Sequence, residues 1–252
     1  MTTTQIPSTD NPEPKKSRSF MQQLTTGTDW KSAALIPALA VLTALIIGVA
    51  IIMLTGSSFG DAMNAYWALL QGSMGSLKAI SETLTAATPL ILAGLSVAIA
   101  FRAGLFNIGT EGQLLMGGMF AVWAGFTFTG LPLYVHIPLA LLAGVVGGAI
   151  WGFIPGFLKA KTGAHEVITT IMLNYIALRL VDFLLKTEIF QREGRNDPVS
   201  KTVEASAQLP LLLGWINPGL RAHLGLIVAL AAAAFIHWLL FRTTTGFEFR
   251  AV

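Results

Sequence analysis

Long apolar segments with few charges are the feature that most constrains this sequence. Residues 33–54 contain no Asp, Glu, Lys or Arg, and as an α-helix they are long enough to cross the ~30 Å hydrocarbon core of a bilayer. Five further segments are similarly apolar: residues 84–101, 112–128, 137–158, 167–185 and 224–241. Only 12% of the residues are charged, about half the share in soluble domains. The sequence therefore predicts an all-α, polytopic membrane protein with about six transmembrane helices.

The domain organisation follows from the same pattern. Residues 1–32 are polar and rich in Pro, Thr and Ser, which predicts a disordered tail, and residues 33–252 form one transmembrane domain. Basic residues flank the span ends on one side of the predicted topology: Lys15, Lys16, Arg18, Lys31, Arg102, Lys159, Lys161, Arg242 and Arg250. Because Lys and Arg concentrate in cytoplasmic loops, we expect a cytoplasmic N-terminus and a cytoplasmic tail.

Two segments outside the spans are more than short connections. Residues 59–70 repeat apolar and aromatic groups at helical spacing and include Tyr66 and Trp67, which favour headgroup depth. They predict an interfacial helix, with a folded-over loop as the alternative. The loop of residues 186–223 is long for a connection. It either folds back on the membrane surface or forms a docking platform for an external partner.

Small residues and prolines predict how the spans pack. Four glycines share one face of the fourth span: Gly144, Gly148, Gly152 and Gly156. Such a face lets another helix approach closely, which predicts a packing seam rather than a solute contact. Pro89 and Pro155 should kink the second and fourth spans. Broken helices at membrane depth need protein or a cavity around them, so they favour a transporter over a simple anchor.

Polar residues inside the spans are the candidates for a solute path. The segment FRAGLFNIGTEGQ places Asn107, Glu111 and Gln113 among glycines at the start of the third span. A carboxylate is costly in hydrocarbon, so Glu111 should face protein or water. It either clamps an irregular start of the helix or lines the path of a polar solute. Thr170 and Asn174 share one helix face, which suits either an interhelical hydrogen bond or contact with ligand hydroxyls.

Patterns typical of catalysis or metal binding do not occur in the sequence. It has no cysteine, its four histidines lack metal-ligand spacing, and His165 should cap the fifth span. No P-loop, serine elbow or HExxH motif is present, so we expect no ATP hydrolysis and no cofactor in this chain. The basic residues form no stripe, which argues against nucleic acid as a partner. Arg179 and Asp182 should form a structural ion pair.

Three segments resemble the permease subunits of bacterial ABC importers, in the nucleoside and simple sugar branch of the branched-chain amino acid/ribose-type permease superfamily. They are ETLTAATPLILAGLSVAIAFRAGLFNIGTEGQ, GAHEVITTIMLNYIA and RTTTGFEFRAV. The resemblance covers residues 59–252 and implies a type II-like permease domain in the bacterial plasma membrane. It implies transport of a small polar solute, with a nucleoside favoured over a simple sugar. His165 stands where the family commonly has Asn.

The resemblance also implies partners. A second permease subunit, a cytoplasmic ATP-binding subunit that holds ATP and magnesium, and an external solute-binding lipoprotein would complete the importer. Residues 242–252 resemble the start of the cytoplasmic loop that docks on the ATPase. Arg242, Glu248 and Arg250 are therefore the candidates for coupling to the ATPase, and the polar residues of the third and fifth spans match family motif positions.

Family members continue beyond this segment, whereas the sequence ends at Val252. We therefore expect a fragment, a separately encoded remainder or a nonfunctional truncation, and no transport by residues 1–252 alone. Two alternatives stay open. An ion-coupled secondary transporter would use Glu111 or Asp182 as its coupling carboxylate, whereas a membrane assembly protein would have no solute path.

Overall fold

The structure is a computed structural model that describes residues 30–251, with side chains for residues 35–249. The predicted disordered tail lies outside the described residues up to residue 29. Five predicted basic residues also lie outside them, wholly or with their side chains: Lys15, Lys16, Arg18, Lys31 and Arg250. The chain divides into two compact units, one ending at Leu69 and one beginning at Leu70.

The first unit contains α1 (Trp30–Leu54) and most of α2 (Phe59–Met74). Apolar side chains cover α1 on all sides, and Ile36 and Ile46 are 70% and 61% exposed, which is typical of a helix in lipid. The Tyr66 hydroxyl on α2 donates to the carbonyl of Leu45 at 2.8 Å and joins the two helices. Residues 59–70 are therefore helical, as the sequence predicts, and their position in a membrane interface stays a prediction.

The second unit holds six helices and residues 186–223, which we call the long loop. The helices are α3 (Leu77–Arg102), α4 (Thr110–Thr127), α5 (Leu133–Thr162), α6 (Glu166–Leu184), α7 (Gly225–Arg242) and α8 (Thr244–Ala251). The long loop contains a 3-10 turn at Ala205–Ala207 and takes part in two isolated bridges. The described residues include no extended strand. The all-α class is therefore confirmed.

Helix α4 lies at the centre of the second unit, where it contacts α3, α5 and α6. Its buried residues include Met116, Met119 and Ala124, which are 6%, 7% and 0% exposed. The approach of α5 is close, because a Cβ at Gly117 would lie 2.9 Å from the carbonyl oxygen of Gly144. Helix α4 is thus covered largely by protein.

Three of the four predicted seam glycines face α4. A Cβ at Gly144 would lie 3.3 Å from the Cβ of Ala121, and one at Gly148 would lie 3.4 Å from the carbonyl oxygen of Gln113. At Gly152 a Cβ would lie 3.2 Å from Nε2 of Gln113, whereas at Gly156 no atom of the described residues lies within 4 Å. The close helix contact therefore runs along α5 as far as Gly152.

Within the described residues, five helices are long and apolar enough to cross a membrane: α1 from Leu35, α3, α5, α6 and α7. The third predicted span is present as α4 but is not among these five. Its first turn carries Thr110, Glu111 and Gln113, which makes it less apolar. Because neighbouring helices cover much of α4, it does not need the apolar surface of a lipid-facing span. The six predicted spans thus correspond to five such helices and one central helix.

Helix ends and prolines differ from the predicted spans. Helix α3 starts at Leu77 rather than at residue 84, because the Ser76 hydroxyl accepts a hydrogen bond from the N–H of Ala79 at 3.1 Å and caps it. Pro89 and Pro155 lie inside helices that continue through both residues. The two helices are therefore not interrupted at these prolines, because a proline removes one N–H while the neighbouring bonds persist, and the predicted kinks stay predictions. An irregular backbone lies between α3 and α4.

Candidate functional site

The α3–α4 connection, residues 103–109, is the irregular segment that leads into the central helix. Gly104 adopts a φ of 68°, a left-handed conformation that favours glycine. The side-chain Oδ1 of Asn107 accepts a hydrogen bond from the N–H of Gly109 at 2.8 Å, which turns the chain into α4. Asn107 therefore holds the backbone of its own turn, although it also borders the cavity described below.

Two polar side chains of α6, Thr170 and Asn174, hold this connection and the first turn of α4; we call them the α6 clamp. Asn174 donates from Nδ2 to the carbonyl of Ile108 and accepts at Oδ1 from the N–H of Gly112, both at 2.9 Å. The Thr170 hydroxyl accepts from the N–H of Ile108 at 3.4 Å and donates to the carbonyl of Glu166 at 2.7 Å. Of the two roles left open by the sequence, the structure shows the interhelical hydrogen bonds.

The α6 clamp requires glycine at position 112. A Cβ at Gly112 would lie 3.0 Å from Oδ1 of Asn174 and 3.0 Å from Nε1 of Trp151. The Trp151 ring N–H in turn donates to the carbonyl of Leu173 at 3.3 Å. Helices α5 and α6 therefore meet the first turn of α4 at one tightly packed point.

Glu111 is not part of this clamp. Its side chain is exposed, and it makes no hydrogen bond or ion pair with the rest of the described chain. Gly112 faces α6. Glu111 precedes it by one position and is therefore turned about 100° away from α6 around the helix axis. The backbone contacts expected of Glu111 as a clamp are made by Asn174 instead.

A cavity of about 720 Å³ lies between α3, α4 and α5. We call it the glycine cavity, because Gly117, Gly144 and Gly148 form part of its wall. No charged residue of the described chain lines it, and most of its remaining wall is apolar. Its polar lining residues lie towards the first turn of α4: Ser96, Asn107, Thr110 and Gln113. The structure thus places two predicted path candidates, Asn107 and Gln113, on one cavity.

The polar end of the glycine cavity has incomplete hydrogen bonding. The Ser96 hydroxyl donates to Oε1 of Gln113 at 3.5 Å, the outer limit for a hydrogen bond. Thr110 is only 9% exposed, and its hydroxyl has no partner within the described residues. Sequence reasoning did not select Ser96, although it is the single polar side chain of residues 90–101. That isolation in an apolar helix was the available signal.

A second cavity, of about 550 Å³, lies beneath the long loop, and we call it the loop cavity. Ala121 and Leu141 line both cavities, so the two adjoin along one face of α4 and α5. The polar lining of the loop cavity includes Thr85, Arg221 and His223.

The long loop packs on the helix ends of its own unit. The N–H of Glu204 donates to the carbonyl of Gly125 at 2.9 Å. His136 is fully buried, with Nδ1 2.8 Å from the hydroxyl of Ser206 and Nε2 3.3 Å from the carbonyl oxygen of Ala124. Because a carbonyl only accepts, Nε2 carries a proton, and in the neutral ring Nδ1 then accepts from the serine. The partners of His136 lie 70 and 12 positions away in the sequence, so the spacing of the histidines does not reveal them.

Ion pairs and caps play structural roles around the cavities. Lys159 pairs with Glu166 at 2.7 Å across the turn between α5 and α6. The predicted pair of Arg179 and Asp182 is present at 3.7 Å, with both side chains exposed. His165 occupies the N-cap position of α6, but its side chain makes no capping bond, so that prediction is wrong. The described residues contain no group of three potential metal ligands.

The chain turns sharply where α7 ends and α8 begins. The Thr243 hydroxyl accepts from the N–H of Gly246 at 3.0 Å. Gly246 is buried, and a Cβ there would meet the backbone of the last turn of α7. Arg242 and Glu248 are exposed, and Phe247 is 65% exposed. The turn therefore presents a short, exposed helix at one end of the helical unit.

Comparison with known families identifies the class. The chain belongs to the family described as branched-chain amino acid transport system / permease component, whose profile matches residues 79–252. The match begins in α3 and includes every helix that surrounds the two cavities. Together with the apolar helices, it defines a multi-pass membrane protein and a transport component, as the resemblance in the sequence implies.

Several curated relatives carry transport names. The chain is 43% identical over 221 residues to the guanosine ABC transporter permease protein NupP of Bacillus subtilis, covering 88% of this chain and 62% of that protein. It is 38% identical to the nucleoside ABC transporter permease protein NupB of Lactococcus lactis, over 86% of this chain and 60% of the relative. It is also 38% identical to the glucose ABC transporter permease protein TsgB13 of Haloferax volcanii, over 84% and 56%.

The chain thus spans 62%, 60% and 56% of the lengths of these three relatives. No solved structure matches it significantly.

Proposed function

We propose that this chain is part of the membrane-spanning permease of a binding-protein-dependent ABC importer that moves a nucleoside into the cell. The family match over residues 79–252 carries the proposal, since this region contains both cavities. Two of the relatives are named guanosine and nucleoside permeases, which favours a nucleoside. The glucose permease among them makes a simple sugar the second candidate.

The importer includes partners that supply energy and solute. A separate cytoplasmic subunit binds ATP and magnesium and performs the hydrolysis, a second permease subunit completes the membrane domain, and an external lipoprotein delivers the solute. The ATPase is contacted by Arg242, at the end of α7, and by Glu248 and Arg250 of α8. The exposed position of the first two side chains supports this assignment.

The N-terminus lies in the cytoplasm. This orientation brings α8 and the C-terminal ends of α3 and α5 to the ATPase side, and it places the long loop outside, where the solute-binding lipoprotein docks. Arg102, Lys159 and Lys161 occupy those helix ends, in agreement with the concentration of basic residues on the cytoplasmic side.

Gln113 belongs to the solute path, whereas the α6 clamp holds the wall of that path in place. An ion-coupled transporter would need an ionisable group in the path. Glu111 does not line the glycine cavity, and no charged residue borders that cavity in the described chain. The lining therefore favours an importer driven by a separate ATPase.

Uptake of radiolabelled guanosine by cells with and without an intact gene for this chain tests the proposal. We expect the deletion to abolish high-affinity uptake and a plasmid copy to restore it. Uptake should fall when cellular ATP is depleted and persist when a protonophore collapses the ion gradient in cells that keep their ATP. Uptake that follows the ion gradient instead would support secondary transport, and glucose uptake without guanosine uptake would support the sugar candidate.

A further inference from the structure

We propose that Ser96, Thr110 and Gln113 form a subsite that binds the hydroxyl groups of an uncharged solute at the polar end of the glycine cavity. This inference rests on the proposed function and assigns a place and a chemical class to its solute. The class comprises neutral molecules with several hydroxyls and one apolar face, such as a nucleoside.

The polar side chains of this subsite have hydrogen-bonding capacity that the described residues do not use. Buried hydroxyls in proteins almost always have a partner, yet the Thr110 hydroxyl has none within the described residues. The Ser96 hydroxyl makes one long contact of 3.5 Å with Oε1 of Gln113, and Nε2 of Gln113 has no hydrogen bond within the described residues. These groups can donate to and accept from solute hydroxyls that enter the cavity.

The wall of the glycine cavity is suited to an uncharged solute. The glycine cavity has a volume of about 720 Å³, within the usual range for small-molecule sites. Its wall includes Leu92, Leu114 and Val145 but no charged residue of the described chain. A nucleobase or sugar face can lie against such a wall, whereas a phosphate or an amino acid zwitterion would lose hydration without a compensating charge.

The polar end of the glycine cavity is held rigidly by the surrounding helices. Binding groups must be held in place to favour one solute. Thr110 and Gln113 lie on the first turn of α4, and the α6 clamp fixes this turn through Ile108 and Gly112. Gly152 leaves room beside Gln113, since a Cβ there would lie 3.2 Å from Nε2. The polar end is therefore held in place without closing the cavity.

Solute protection of a single cysteine tests the subsite. The chain has no cysteine of its own, so Gly118→Cys introduces its only thiol. Gly118 lines the glycine cavity, and a Cβ there meets nothing within 4 Å. The matched control is Gly94→Cys on α3, where a Cβ also meets nothing within 4 Å and which does not line the cavity.

The assay measures the rate at which N-ethylmaleimide labels each variant in the complete importer in membrane vesicles. Guanosine at ten times its KM should occupy about nine tenths of the sites and slow the labelling of Gly118→Cys about tenfold. The labelling of Gly94→Cys should not change. GMP and isoleucine, at the same concentration, should protect neither variant. Equal protection by GMP would overturn the restriction to uncharged solutes.

A second measurement uses substitutions that remove one hydroxyl. Thr110→Val should raise the KM for guanosine uptake about fivefold, which is the effect of one lost hydrogen bond. It should not lower the melting temperature, since the hydroxyl has no partner within the described residues. Ser96→Ala should act in the same direction. An unchanged KM in both variants, together with no protection of Gly118→Cys, would refute the subsite. The unmodified importer is measured first. If it shows no ATP-dependent guanosine uptake, that result refutes the proposed function rather than the subsite alone.

Discussion

Replacing Asn174 with alanine should loosen the contact between α6 and the first turn of α4. The substitution removes two hydrogen bonds of 2.9 Å and leaves the N–H of Gly112 and the carbonyl of Ile108 without this partner. A hydrogen bond contributes about 0.5–1.5 kcal/mol net, and an orphaned buried group costs about 1–3 kcal/mol. Because Asn174 is only partly buried, we expect the free energy of unfolding to fall by about 2–3 kcal/mol.

Thermal unfolding of the purified permease in mild detergent measures this loss. For a chain of this size, 1 kcal/mol corresponds to about 2–4 °C, so Asn174→Ala should lower the melting temperature by about 4–12 °C. The control is Met172→Ala on the same helix, where the side chain is 55% exposed; it should change the melting temperature by less than about 2 °C. Equal shifts in the two variants would refute the clamp.

Two further substitutions test the packing of the second unit. His136→Ala should release the long loop, because it empties a fully buried site and breaks two contacts. We therefore expect faster tryptic cleavage within the loop. The control His237→Ala, at an exposed position, should leave the cleavage rate unchanged. Gly117→Ala should lower the melting temperature, because its Cβ would lie 2.9 Å from the carbonyl oxygen of Gly144. Gly118→Ala has no such contact and should not; similar melting temperatures for both variants would contradict the close approach of α4 and α5.

The helices could be predicted from the sequence because each long apolar run carries its own signal. Their ends could not, since a helix continues past the apolar run to the nearest cap, as at Ser76 before α3. Helix α4 shows a second limit. Hydropathy measures the tendency to contact lipid, and a helix that its neighbours cover can carry a polar residue such as Gln113 in its first turn.

The polar residues of the candidate site could be predicted from the sequence, but their hydrogen-bond partners and separate roles could not. Asn174 and Gln113 stood out as polar groups in apolar helices, yet their different roles depend on contacts between distant segments. Asn174 bonds residues 62 and 66 positions away, and His136 bonds Ser206, 70 positions away. No local pattern encodes such pairs. Ser96 gave the weakest signal, since a single serine is common in a membrane helix.

The main proposal is that this chain is part of a permease that moves a neutral nucleoside with energy from a partner ATPase. Its most direct test is guanosine uptake by the complete importer, reconstituted in liposomes with ATP enclosed and the binding protein outside. We expect accumulation of labelled guanosine that requires ATP hydrolysis, proceeds without an ion gradient, and is inhibited by other nucleosides but not by GMP or isoleucine. Accumulation driven by an ion gradient without ATP, or no accumulation by an assembled complex that hydrolyses ATP, would contradict it.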